Sequence, residues 1–205
     1  MQALKLFSAL LLLSLNSQPV YPQKKSVALP AQPKGNPALL KSELPNLKGK
    51  TGSVFKEKGR KATALLFITP DCPISNVYAP EYNAICEAYS KQKIAFAVIY
   101  VATDLPLKAL NKHAKDFGYT CPKYVDRKNS FAHRIHAKMT PEVIVVLPNG
   151  ATAYQGRIDD LYFDYGKRRP KPTQHDLRNA LDTVLKGQTP AVTRTTPIGC
   201  YIPDA

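Results

Sequence analysis

Apolar residues follow two different patterns along the chain. Residues 63–69 (Thr-Ala-Leu-Leu-Phe-Ile-Thr) and 94–102 (Ile-Ala-Phe-Ala-Val-Ile-Tyr-Val-Ala) are short and almost continuously apolar. That is the pattern of parallel strands covered on both faces. Between them, Val77, Tyr78, Tyr82, Ile85, Cys86 and Tyr89 recur on one broad face, which predicts a helix over 74–91 interrupted early by Pro80. Residues 105–117 read as a helix closed by Gly118, 123–126 as a short strand and 130–137 as a further helix. Met139-Thr140-Pro141 leads into a β-rich run, which Pro148-Asn149-Gly150 turns back onto 151–158 as a hairpin. After a polar, tyrosine-bearing excursion over 159–172, a last helix begins at Thr173. It carries Leu177, Ala180, Leu181, Val184 and Leu185 at core spacing and ends at Gly187. Strands alternating with helices, then a hairpin and a closing helix, specify an α/β fold.

The two ends lack this periodicity. Lys5, the apolar residues 6–15 and Asn16-Ser17-Gln18 have the layout of a secretory signal over 1–23. Its apolar part is about ten residues, against the ~20 needed to span a bilayer. Residues 24–42 read as a flexible linker, 43–187 as the folded domain, and 188–205 as a tail containing Cys200. The expected location is therefore outside the cytoplasm, periplasmic or secreted. The net charge of +14 is concentrated in 48–61 and 166–172. No nucleic-acid recognition module accompanies it, so nucleic acid is not an expected partner. The basic segments read as a solvated surface suited to anionic envelope components.

Export changes how Cys72, Cys86, Cys121 and Cys200 are read, because disulfides persist outside the cytoplasm. The absence of C-x-x-C and C-x-x-C-H argues against a zinc ribbon, a local dithiol or attached haem. No metal or cofactor is expected. Cys72 follows the first buried strand and immediately precedes a proline at the predicted start of a helix. Unpaired helix N–H groups and the positive end of the macrodipole favour a thiolate there. Asp71, just before it, opposes the thiolate by charge and also suits a helix cap. Asp126 ends its short strand at the same edge, as a proton relay or a structural hydrogen-bond acceptor.

The strand-then-cysteine segment 65–75, Thr140-Pro141 before a strand, and the 147–150 turn with Gly156 beyond together resemble the thioredoxin-like superfamily, in particular its redoxin branch of thiol peroxidases and exported thiol-disulfide oxidoreductases. The resemblance implies a central mixed β-sheet flanked by helices. It also implies a cis Thr140–Pro141 bond whose backbone faces Cys72 and docks a substrate disulfide. The departures are specific. Ser75 stands where thioredoxins have their second cysteine, so a mixed disulfide on Cys72 needs a resolving thiol from elsewhere. Thr69 matches the threonine of the peroxiredoxin pattern, but Leu65 stands at its proline, and only Arg134 and Arg157 are candidates for its arginine. Ile68 stands at the first cysteine of the copper-chaperone pattern.

Spacing narrows the partners of Cys72. A helix of fourteen residues puts Cys86 roughly 20 Å away, whereas a disulfide needs Cα atoms within about 7 Å. Cys86 therefore reads as a buried thiol. Cys121, at the opposite strand edge, reads as free or structural. Cys200, on a mobile tail beside Gly199, is able to resolve Cys72, to staple it permanently or to pair with another molecule. The resulting expectation is an exported thiol oxidoreductase with Cys72 as nucleophile, Cys200 as second catalytic cysteine, and Thr69, Thr140 and Pro141 contacting substrate. Its partners would be protein thiols or disulfides, or small peroxides, with an external thiol reductant. The alternative is a non-catalytic redoxin-fold binding module, with Cys72 structural or in a copper site with His133 or His136.

Overall fold

The computed structural model describes residues 34–55 and 59–204. The signal segment, the linker before residue 34 and residues 56–58 of the first basic segment lie outside the described residues. The elements run β1 (Glu43–Pro45), β2 (Thr51–Ser53), β3 (Ala62–Ile68), α1 (Pro73–Ser90), β4 (Ile94–Val101), α2 (Leu107–Asp116), β5 (Lys123–Asp126) and α3 (Ser130–Arg134). They continue with β6 (Met139–Thr140), β7 (Glu142–Val146), β8 (Thr152–Gly156), β9 (Tyr162–Asp164), β10 (Lys167–Arg168), α4 (Asp176–Leu185) and β11 (Cys200–Tyr201). The main sheet has the order β5-β4-β3-β7-β8. Its β3–β4 and β4–β5 pairs are parallel, and β3–β7 and β7–β8 are antiparallel. This is the mixed sheet that the pattern and the resemblance imply.

Strands β3 and β4 are apolar throughout because both faces are covered. Ala64, Leu66 and Ile68 pack with Tyr78, Tyr82 and Ile85 of α1 and with Leu177 and Leu181 of α4. Leu65 and Phe67 face the other way, toward Ile99, Phe131 and Ile144. Leu39, from the segment read as linker, is buried in that second layer. The Tyr82 hydroxyl sits under the sheet, 3.2 Å from the carbonyls of both Ala64 and Ala97.

Helix α1 begins with Pro73, where a missing N–H costs nothing, and runs straight through Pro80. An interior proline costs about 3 kcal/mol, but each large apolar side chain buried on this face returns about 1.5–3 kcal/mol. The face buries Ile74, Ile85 and three tyrosines, so the helix continues. Helix α3 is shorter than expected because the chain turns left-handed at His136, φ 62°. The polar excursion contains the β9–β10 ribbon. Asp160 gathers the Thr173 and Gln174 N–H groups, the Thr173 hydroxyl and Arg169 Nε at 2.6–3.0 Å. That engagement holds Thr173 outside the helix, and α4 starts at Asp176 instead.

Two expectations about cysteines are corrected. Cys86 is not a thiol and Cys121 is not free: they form a disulfide with Cα atoms 6.9 Å apart, tying α1 to the turn before β5. Nor is Cys200 on a mobile tail. The Gln155 N–H donates to the Thr193 carbonyl and the Thr195 N–H to the Gln155 carbonyl, at 2.9 and 3.0 Å. Gly156 permits this approach, since a Cβ there would lie 2.2 Å from Thr195 Oγ1. Beyond it, β11 pairs antiparallel with β6, Cys200 opposite Thr140 and Tyr201 opposite Met139. Ile202 is buried, and the Asn129 amide donates to the Pro203 carbonyl at 3.1 Å.

Candidate active site

Cys72 is the N-cap residue of α1, at the point where β3 ends. Its N–H donates to the Thr69 carbonyl at 3.2 Å, closing a tight turn over Pro70 and Asp71. A hydrogen-bonded chain braces that turn from behind. Asn76 Nδ2 donates to the Pro70 carbonyl, so its Oδ1 accepts from His113 Nε2, and His113 Nδ1 accepts from the Tyr100 hydroxyl, each at 3.0 Å. Burial holds the His113 pKa below its ordinary value, which keeps this neutral arrangement.

The opposite wall is the cis Thr140–Pro141 bond. As a thiol, Cys72 donates to the Thr140 carbonyl at 3.1 Å. Cys200 closes the remaining side, its Sγ 2.7 Å from Cys72 Sγ. Only glycine fits before it, because a Cβ at Gly199 would stand 2.0 Å from the Thr140 oxygen. The result is a fully buried Cys72, at 0% exposure, against a partly exposed Cys200.

The two thiols are electrostatically unequal. For Cys72, burial disfavours the anion, but hydrogen bonds from Cys200, from the Ser75 hydroxyl and N–H, and from Thr140 outweigh it and lower its pKa. For Cys200, burial, its bond to Cys72 and the charges of Cys72 and Asp71 raise the pKa to about 12. Of the two, Cys72 is the sulfur that gives up its proton first and Cys200 the one that keeps it. Ser75 is a participant that the sequence reading passed over except as a missing cysteine. Its hydroxyl is buried and has no hydrogen-bond partner other than the Cys72 sulfur among the described residues. The available signal was a hydroxyl in the first turn of a helix capped by a cysteine.

Other expected residues are placed differently. The Thr69 hydroxyl donates to the Asp71 carboxylate, so Asp71 accepts from the turn and does not cap α1. Asp126 accepts from the Phe131 and Ala132 N–H groups at 2.9 and 2.8 Å, serving the start of α3. Arg134 bonds Ser42 and Arg157 bonds Asp176. His133 lies against the Pro203 carbonyl. Among the described residues, the three-ligand group with metal-like spacing is Glu81, Asp159 and His175, which contains neither Cys72 nor the other histidines.

No family model and no curated protein matches the sequence. Solved structures do. A hypothetical protein from Sinorhizobium meliloti aligns at TM-score 0.71 with 26% identity, covering 88% of this chain and 96% of that one. An uncharacterized protein from Geobacillus kaustophilus aligns at 0.70 with 25% identity, covering 86% and 96%. A secreted disulfide oxidoreductase of Mycobacterium tuberculosis, homologous to E. coli DsbE, aligns at 0.52 with 16% identity, covering 74% and 99%. The strand order, the Cys72 turn and these alignments agree: the chain has the thioredoxin-like fold.

Proposed function

We propose that this protein is an exported thiol-disulfide oxidoreductase whose redox pair is Cys72 and Cys200. The observation that carries the reading is the 2.7 Å separation of the two sulfurs, brought together from positions 128 residues apart. Closing the bond to the usual ~2.05 Å requires a movement of roughly 0.7 Å. The contrast between a favoured thiolate and a retained proton supplies both partners of exchange: an acidic leaving group and a thiol able to close the cycle. Cys86–Cys121 is a structural staple in this reading and takes no part in turnover. Export rests on the signal-like segment and accords with the secreted Mycobacterium tuberculosis protein of the same fold. The basic segments would hold the protein at anionic envelope surfaces.

The test uses the full mature chain. Non-reducing peptide mapping should find Cys72–Cys200 as a bond that opens under mild reduction while Cys86–Cys121 stays closed. The oxidised protein should then convert a dithiol peptide to its disulfide. That activity should vanish in Cys72→Ser and in Cys200→Ser and persist when Cys86 and Cys121 are both replaced by alanine. Exchange that survives Cys72→Ser would overturn the assignment.

A further inference from the structure

The two sulfurs are unequal targets for an incoming thiol. Cys72 has no exposed surface, because β11 lies over it, whereas Cys200 is partly exposed and its neighbour Tyr201 is 82% exposed. The backbone edge at Met139–Thr140, where a partner strand would add beside Cys72, is already paired with Cys200 and Tyr201. The cavity of about 610 Å³ beside this strand takes in Gly199 and Tyr201 but not Cys200, because alternation along β11 turns the Cys200 side chain to the opposite face, toward Cys72.

We propose that a thiol-bearing peptide attacks the oxidised pair at Cys200, the partly exposed sulfur of the two, and expels Cys72. This rests on the redox pair proposed above. The peptide thiol loses its proton to solvent, and its thiolate attacks Cys200 Sγ. The Cys200–peptide bond forms as the Cys72–Cys200 bond breaks, and Cys72 leaves with the electron pair as a thiolate. A second thiol of the same peptide then attacks the peptide's own bridging sulfur and releases Cys200, which takes up the proton that this thiol gives up. The peptide departs oxidised to a disulfide, and the protein is left reduced. Exchange is faster when the expelled thiol is the more acidic one. The Ser75 and Thr140 hydrogen bonds around Cys72 favour its departing thiolate. The chain thus reverses the roles expected from the sequence: Cys72 is the departing, stabilised thiolate, and Cys200 is the point of contact.

Glutathione, a tripeptide thiol, is a sufficient probe. The oxidised protein is mixed with glutathione, quenched in acid along a time course and digested with pepsin at the same low pH, which halts exchange because the thiolate is the nucleophile. The glutathione mass should appear predominantly on the Cys200 peptide, with Cys72 as free thiol. Adduct divided equally, or predominantly on Cys72, overturns the order of attack while leaving the redox pair intact. Absence of a Cys72–Cys200 bond from the starting material overturns the pair itself.

Discussion

Ser75→Ala separates what stabilises the Cys72 thiolate from what merely buries it. Ser75 is buried, and its hydroxyl has no hydrogen-bond partner other than the Cys72 sulfur among the described residues. Truncation to alanine opens no route to solvent and keeps the N–H at position 75. A hydrogen bond to a charged group contributes about 1.5–3 kcal/mol, and one pKa unit corresponds to about 1.36 kcal/mol. The Cys72 pKa should therefore rise by roughly one to two units. Stability should respond with opposite signs at the two ends of the pH scale. The folded pKa of Cys72 lies below the ordinary 9.0, so the thiolate contributes stability that is fully present above that value and is lost as pH falls through the folded pKa. Ser75→Ala should thus be less stable than wild type at alkaline pH. Below the folded pKa it should be as stable or more so, since an unsatisfied buried hydroxyl has been removed. The assay is the pH dependence of iodoacetamide alkylation at Cys72, quantified on its peptide after mild reduction, with urea unfolding of the reduced protein at both pH extremes. An apparent pKa that stays in place or falls would refute the role given to Ser75.

Three further outcomes follow from the same geometry. Ser75→Cys should create a local dithiol that competes with the tail, so that in peptide maps of the oxidised protein Cys72 is bonded to the introduced thiol and Cys200 is alkylatable. Replacing both Cys86 and Cys121 by alanine opens a loop whose ends are 35 residues apart; in the chain-entropy model this costs about 4 kcal/mol, readable as a lower urea midpoint with exchange activity retained. Gly199→Ala should push β11 off the Thr140 carbonyl, 2.0 Å from the new Cβ. Alkylation of Cys72 should then accelerate and the yield of Cys72–Cys200 bond fall, and an unchanged yield would show that the strap tolerates the shift.

Patterning alone determined much of this protein. Strands β3 and β4, helix α1 and the β7–β8 hairpin are legible because each obeys a local period or turn rule, and Cys72 is legible because a buried strand followed by cysteine and proline has few other uses. The resemblance supplied the wall at Thr140–Pro141. Relations between distant positions were decided only by tertiary structure. Cys86 and Cys121 meet because α2 carries the chain back beside α1, and no local signal marks a pair so separated. The tail has no hydrophobic period because its backbone is satisfied by β8 and β6, a pairing that leaves no trace in its own residues beyond Gly199. Pro80 misled for the complementary reason: its local cost is visible in the sequence, while the burial that outweighs it exists only once the sheet has formed. Composition and period could point to Cys72, but only the folded chain could say which second sulfur covers it and which of the two faces the solvent.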